Sequence, residues 1–172
     1  MSLVVLGERP PEIESWLERR RALGQDRFDE VWEGEYHVAP APHGRHSRLE
    51  LQVARLMGPR ADDVNLVAYG PFNLGTPDDF RVPDQGYLRA QQERTFYPTA
   101  ALVVEIVSPG DETYRKFDFY FRHGVEELLV VDPDTCCIEW YARGADGFVP
   151  ADRSALLDLA ADQLYDEIDW PD

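Results

Sequence analysis

At 172 residues, 44% of them hydrophobic, the chain is long enough to bury a sizeable core and short enough to form one domain spanning 1–172. It has no apolar run of about eighteen residues, and Met1-Ser2-Leu3-Val4-Val5-Leu6 lacks the basic start and the length of a signal peptide, so a cytoplasmic protein without a membrane span is expected. The formal net charge of −16 argues against tight, sequence-independent duplex binding, although a bound cation or an arginine-lined groove can invert the field locally.

In chain order, Pro10-Pro11 precede a segment in which Ile13, Trp16, Leu17 and Leu23 share a helical stripe. Pro11 suits a first turn and Gly24 a stop, which predicts a packing helix over about 11–24. The core then runs over about 28–143, starting with a hairpin from Phe28 to Val38 around Glu33-Gly34, where Gly34 supplies positive φ. Beyond the stiff Pro40-Ala41-Pro42 linker, Leu49, Val53, Leu56 and Met57 predict an amphipathic helix from His46 that ends near Gly58-Pro59. His46 and Glu50 lie four residues apart on one face. With His43 they are candidate metal ligands, and a capping or DNA-facing role for the histidines is the alternative.

Asn65 to Tyr69 reads as a strand, and Phe80-Arg81-Val82 leads through Pro83-Asp84 into Gly86-Tyr87-Leu88. Pro83 has no amide hydrogen and belongs at an edge or interruption, a distortion that would re-aim Asp84 towards the next strand. A plain Pro-Asp turn is the alternative. Arg89 to Thr99 is a polar, exposed loop.

Leu102 to Val107 is a buried strand, apolar except for Glu105. An unpaired ionised Glu there costs several kcal/mol to desolvate, so Glu105 requires a partner, a shifted pKa or a metal. Asp84 is its co-ligand candidate. Two carboxylates from adjacent strands repel unless a cation lies between them, and hard oxygen ligands suit Mg²⁺ or Mn²⁺.

A turn at Pro109-Gly110 then reverses the chain into a helix starting at Asp111-Glu112 and closed by Gly124. Tyr114, Phe117 and Phe121 are its predicted apolar stripe, with Lys116, Tyr120 and His123 nearer another face and Arg115 and Arg122 as candidate phosphate contacts. Lys116 lies roughly 8 Å into that helix and Glu105 roughly 10 Å back along the strand, so the return brings the two level. Lys116 is the sole lysine against sixteen arginines, which suits a need for a compact, rotatable ammonium; drift on a solvated face is the alternative.

Glu127 to Asp132 and Cys136 to Arg143 read as a hairpin around Pro133-Asp134-Thr135. Cys136 and Cys137 are neighbours that point to opposite faces and fit no zinc spacing, so reduced, packed thiols are expected. Ser154 to Asp172 suits a short strand or helix and carries no catalytic motif.

The order of Pro83-Asp84, Val103-Val104-Glu105-Ile106-Val107-Ser108-Pro109, the Lys116 helix and Val130-Val131-Asp132-Pro133 resembles the Uma-two restriction-endonuclease family of the PD-(D/E)XK nuclease superfamily, from about Glu30 to Tyr141. The resemblance implies a restriction-endonuclease-like α+β domain, its mixed central β-sheet flanked by helices in the order αβββαβ. It also implies a catalytic metal held by Asp84 and Glu105 with the Ile106 backbone carbonyl, and a catalytic lysine. One departure is that the position two residues after the strand acid, where the superfamily commonly has that lysine, is Val107, leaving Lys116 for the role. By the same resemblance a hairpin acid near a Gly-Glu pair, here Glu35, could reach the metal or its water, and Glu50 and His46 are supporting candidates. A solvent-facing strand Glu is the alternative for Glu35.

The leading expectation is therefore a Mg²⁺- or Mn²⁺-dependent phosphodiesterase, a DNA endonuclease acting as a homodimer where both strands are cut. A hydrolase of a small phosphoester and a noncatalytic binding or assembly module keeping the fold are the alternatives, both of which suit the acidic surface better.

Overall fold

The computed structural model describes residues 4–7, 9–108, 110 and 112–170. Near the N-terminus β1 (Val4–Leu6) and α1 (Pro11–Ala22) precede the hairpin of β2 (Glu30–Trp32) and β3 (Glu35–Val38). Both central residues of the hairpin turn, Glu33 and Gly34, have positive φ (51° and 92°), the geometry that matches strand twist. After α2 (Gly44–Asp63) come β4 (Val67–Tyr69), β5 (Asn73–Thr76), β6 (Asp79–Arg81), β7 (Gln85–Leu88), β8 (Phe96–Tyr97) and β9 (Leu102–Ile106). A 3₁₀ turn (Thr113–Lys116) leads into α3 (Phe117–Arg122), and β10 (Glu127–Asp132), β11 (Cys137–Arg143) and β12 (Phe148–Ala151) follow. A short pair, β13 (Arg153–Ser154) and β14 (Leu159–Ala160), then leads into α4 (Ala161–Glu167).

The expected mixed sheet flanked by helices is present as two six-stranded sheets, ordered β1-β3-β2-β6-β5-β8 and β12-β11-β10-β9-β7-β4. In the second, β9 runs parallel to β10 and antiparallel to β7. All five residues of β9 are buried because both faces of this sheet are covered. Leu102, Val104 and Ile106 pack with Leu49, Val53 and Met57 of α2 and Leu164 of α4, while Val103 packs with Phe119 and Tyr120 of α3. Strand alternation therefore directs Glu105 to the α3 side, with Val103.

The helices depart from the sequence reading in three places. α2 does not stop at Gly58-Pro59 but continues to Asp63, since Leu49, Val53, Met57 and Ala61 keep a four-residue stripe on the core. Of these only Ala61 lies beyond Pro59, an internal proline that costs roughly 3 kcal/mol, and it is fully buried in the core, while Arg60 Nη1 donates to the Leu56 carbonyl at 3.3 Å. In α1 only Leu17 is buried, with Trp16 and Leu23 exposed. The Lys116 helix is a 3₁₀ turn joined to α3, and its buried residues are Thr113, Phe119 and Tyr120, while Tyr114 is exposed. Pro109 and Asp111, read from sequence as turn and helix start, lie outside the described residues. Cys136 and Cys137 are free thiols. Among the described residues no helix is long and apolar enough to cross a membrane.

Candidate active site

Regular pairing lapses between β6 and β7, where Val82, Pro83 and Asp84 carry the chain from one sheet to the other. Without a ladder partner there, Asp84 turns onto β9, and its Oδ2 accepts the Ile106 backbone N–H at 2.7 Å. Its Oδ1 lies 2.9 Å from His46 Nε2, and His46 Nδ1 lies 3.0 Å from Ser108 Oγ. His46, in the first turn of α2, thus ties Asp84 to the segment after β9. Burial by itself would lower the His46 pKa, but Asp84, Glu50 and Glu105 overcome it and hold the imidazole above its ordinary value.

On the other side of β9, Lys116 Nζ lies 3.1 Å and 3.3 Å from the two oxygens of Glu105. The same ammonium is 3.0 Å from Glu30 Oε1. Tyr120, one helical turn after Lys116, donates its hydroxyl to Glu105 Oε1. Glu30 is fixed in turn by the Val82 N–H at 2.7 Å and the Trp32 indole N–H at 2.6 Å. Burial pushes the Glu105 carboxyl up to about 8 against the pull of Lys116, with Asp84 and Glu30 adding to the rise. Burial acts to lower the Lys116 pKa, yet Glu105, Glu30 and Asp84 keep it protonated well above its ordinary value.

Glu30 was absent from the sequence-predicted set. It occupies a strand in which its neighbours Val31 and Trp32 are buried, so the desolvation argument that singles out Glu105 applies to it equally. Glu35, the hairpin acid chosen instead, is exposed and lines a separate surface cavity with Glu33, Arg115 and Arg122. Position along the hairpin is the reason: Glu35 lies opposite Trp32 at the turn end, whereas Glu30, at the other end of β2, meets Lys116. Glu50 borders the cluster from α2, its carboxyl raised by burial and by Asp84 and drawn back by His46 and Arg27. His43 caps α2, accepting the Arg45 N–H at 3.3 Å, and Arg115 and Arg122 are paired to Glu112 and Glu33.

Four carboxylates, Glu30, Glu50, Asp84 and Glu105, thus surround two basic groups, Lys116 and His46. Among the described residues no group of three or more His, Cys, Asp or Glu side chains is arranged as a ready-made metal site. Asp84 and Glu105 are the donors that would hold a cation here, and one or two carboxylates with the balance of ligands from water and substrate is the usual way proteins hold Mg²⁺. Their contacts occupy two acceptor positions on Asp84 and three on Glu105, so unfilled lone pairs remain. A strand residue's N–H and C=O point to the same side, and the Ile106 carbonyl therefore faces the Asp84 side with the N–H that Asp84 accepts. The donor chemistry, hard oxygens with surplus negative charge, fits one small divalent cation.

A solved structure from Anabaena variabilis ATCC 29413, described as "a putative nuclease belonging to DUF820", superposes with a TM-score of 0.65 over 81% of this chain and 90% of that one. The two sequences are 17% identical, so the likeness is one of fold. No curated protein matches the chain. The sequence model of the Uma2 family, described as "Putative restriction endonuclease", matches residues 13–161, and the chain with its Asp84, Glu105 and Lys116 cluster belongs to that family.

Proposed function

We propose that the protein is a divalent-cation-dependent phosphodiesterase that cleaves DNA internally, with Asp84 and Glu105 as cation ligands and Lys116 as the catalytic ammonium. The observation that carries this reading is the convergence on β9, where Asp84 is pinned to the Ile106 N–H at 2.7 Å and Lys116 sits 3.1 Å from Glu105. Mg²⁺ or Mn²⁺ bound by these carboxylates and the Ile106 carbonyl would polarise a phosphate oxygen and make a bound water more acidic.

The chain's own residues prepare the rest. Lys116, kept protonated by its three acidic neighbours, acts as a fixed positive charge that stabilises the pentavalent transition state rather than as a base. Tyr120 orients Glu105, and His46 holds Asp84 in register with the strand. Glu30 positions Lys116, its Oε1 3.0 Å from the ammonium that Glu105 also holds. Cutting both strands of a duplex would call for two such sites, hence a homodimer.

The test is conversion of supercoiled plasmid in Mn²⁺ and Mg²⁺ by the wild type, Asp84→Ala and Glu105→Ala. Nicked or linear product from the wild type alone is the expected result. Calorimetric titration of Glu105→Gln with Mn²⁺ should show metal binding lost and the fold retained, because the amide removes a ligand charge while keeping the shape. Unchanged Mn²⁺ affinity in that variant would remove Glu105 from the ligand set.

A further inference from the structure

A cavity of about 700 Å³ lies on the face of the first sheet where Val31 and Phe80 stand opposite each other. Arg21, Arg27 and Arg94 line it, and among the described residues Asp26 is the only acid in its wall. That is notable in a chain of net charge −16, in which ten of the sixteen arginines are ion-paired to carboxylates among the described residues. Among the described residues none of these three arginines has such a partner, and all three are exposed.

Aromatic rings form much of the remaining wall. Phe80 and Phe96 meet edge to face at 5.2 Å, and Tyr69 meets Tyr97 at 5.4 Å. Tyr69, Phe80 and Phe96 are only half-buried, so part of each ring is open to a ligand.

The cavity adjoins the catalytic cluster in two ways. Arg27 at its rim acts electrostatically on Glu50, which also feels Asp84. Phe80 lies four residues before Asp84 on the same segment, a reach of at most about 14 Å. From these observations we infer that the cavity binds an unpaired nucleotide of the nucleic-acid strand whose phosphate enters the Asp84 site, with the base stacked on Phe80, Phe96 or Tyr69 and the flanking phosphates on Arg27 and Arg94.

This rests on the nuclease reading and narrows it to substrates with a single-stranded stretch. A duplex conceals its base faces, whereas any unpaired base offers a face to an aromatic ring and its phosphates to arginine. The open rings, together with guanidinium groups that no carboxylate pairs among the described residues, fit the unpaired strand.

The test is fluorescence anisotropy of a labelled twelve-nucleotide DNA, single-stranded or annealed, with the full chain in EDTA over a range of salt. Single strand should bind at least about fivefold tighter than duplex. Arg27→Gln/Arg94→Gln should weaken it about tenfold or more and reduce the salt slope by about 1.4, the change for two single-strand phosphate contacts. Phe96→Leu, which keeps apolar bulk but removes the ring, should weaken binding about fivefold at an unchanged slope. Duplex bound as tightly as single strand, or arginine variants with wild-type affinity and slope, would overturn the inference. Wild-type hydrolysis of bis(p-nitrophenyl) phosphate in Mn²⁺ reads the chemistry separately. Its absence beside intact strand binding would count against the nuclease reading and leave the cavity assignment standing.

Discussion

Lys116 stands between Glu30 and Glu105, at 3.0 and 3.1 Å, and one ammonium offsets two buried carboxylates. Lys116→Ala would leave those acids facing each other, so we expect a loss of roughly 3–5 kcal/mol in urea unfolding at neutral pH, moderated as Glu105 takes up a proton. Turnover should fall about 10²–10³-fold while Mn²⁺ binding persists; wild-type turnover would reduce Lys116 to a structural cation. His37 provides a separate test. It is buried and stacked on Trp32 at 4.3 Å, and burial holds its pKa below the ordinary value against the pull of Glu30, while Glu112 lies 3.2 Å away without forming a hydrogen bond. A depressed histidine is neutral in the folded state while the unfolded chain takes up a proton, so its contribution is present above about pH 6.5 and is lost as pH falls towards the folded value. His37→Gln should therefore flatten the decline of stability below pH 6.5, by up to about 1.4 kcal/mol per pH unit. An unchanged slope would show that other groups govern the acid limb. Glu105 and Asp84 were legible in the sequence because a charge in an apolar strand and a Pro-Asp at a strand break are each locally anomalous. Glu30 was equally anomalous beside Trp32, but which hairpin acid faces the cluster depends on pairing register.

At the scale of elements, the break between β6 and β7 lets one segment serve both sheets and directs Asp84 out of the ladder. The neighbouring β5–β6 hairpin is held by Gly75, whose φ is +127°. A Cβ there would stand 2.3 Å from the Asp79 carbonyl oxygen and 2.9 Å from Phe119. The backbone oxygen cannot retreat without loss of the hairpin, so Gly75→Ala should cost at least about 2 kcal/mol and lower the melting temperature by about 5 °C or more. A melting temperature within a degree of wild type would show that the hairpin relaxes. The hairpins and the strand of Glu105 could be read locally from turn residues and apolar runs. The passage of α2 through Pro59 could not, because its reason is the burial of Ala61 against a core assembled from distant segments.

Across the whole molecule, the C-terminal segment is fastened to the core by a buried acid that no motif announces. Glu127, at the start of β10, accepts the Ser154 hydroxyl and the Ala155 and Leu156 N–H groups, the latter two at 2.7 and 3.1 Å. These contacts hold Leu157, Leu159, Leu164 and Ile168 in the cluster that also contains Leu102 and Val104 of β9. Glu127→Ala would leave buried donors without an acceptor, and we expect a loss of about 3 kcal/mol or more with faster amide exchange over 154–168. Unaltered protection there would show that apolar packing alone holds the segment. The sequence by itself determined the mixed α+β class, the buried strand around Glu105, the hairpin at Gly34 and the family, because these rest on local turn chemistry, periodicity and the order of short motifs. Only the tertiary structure decided that the strands divide into two sheets, that Glu30 rather than Glu35 meets Lys116, and that Arg21, Arg27 and Arg94 gather around one aromatic cavity. Those outcomes depend on which distant segments pair and pack, and the free energy that selects among them arises from burial between residues far apart in the chain.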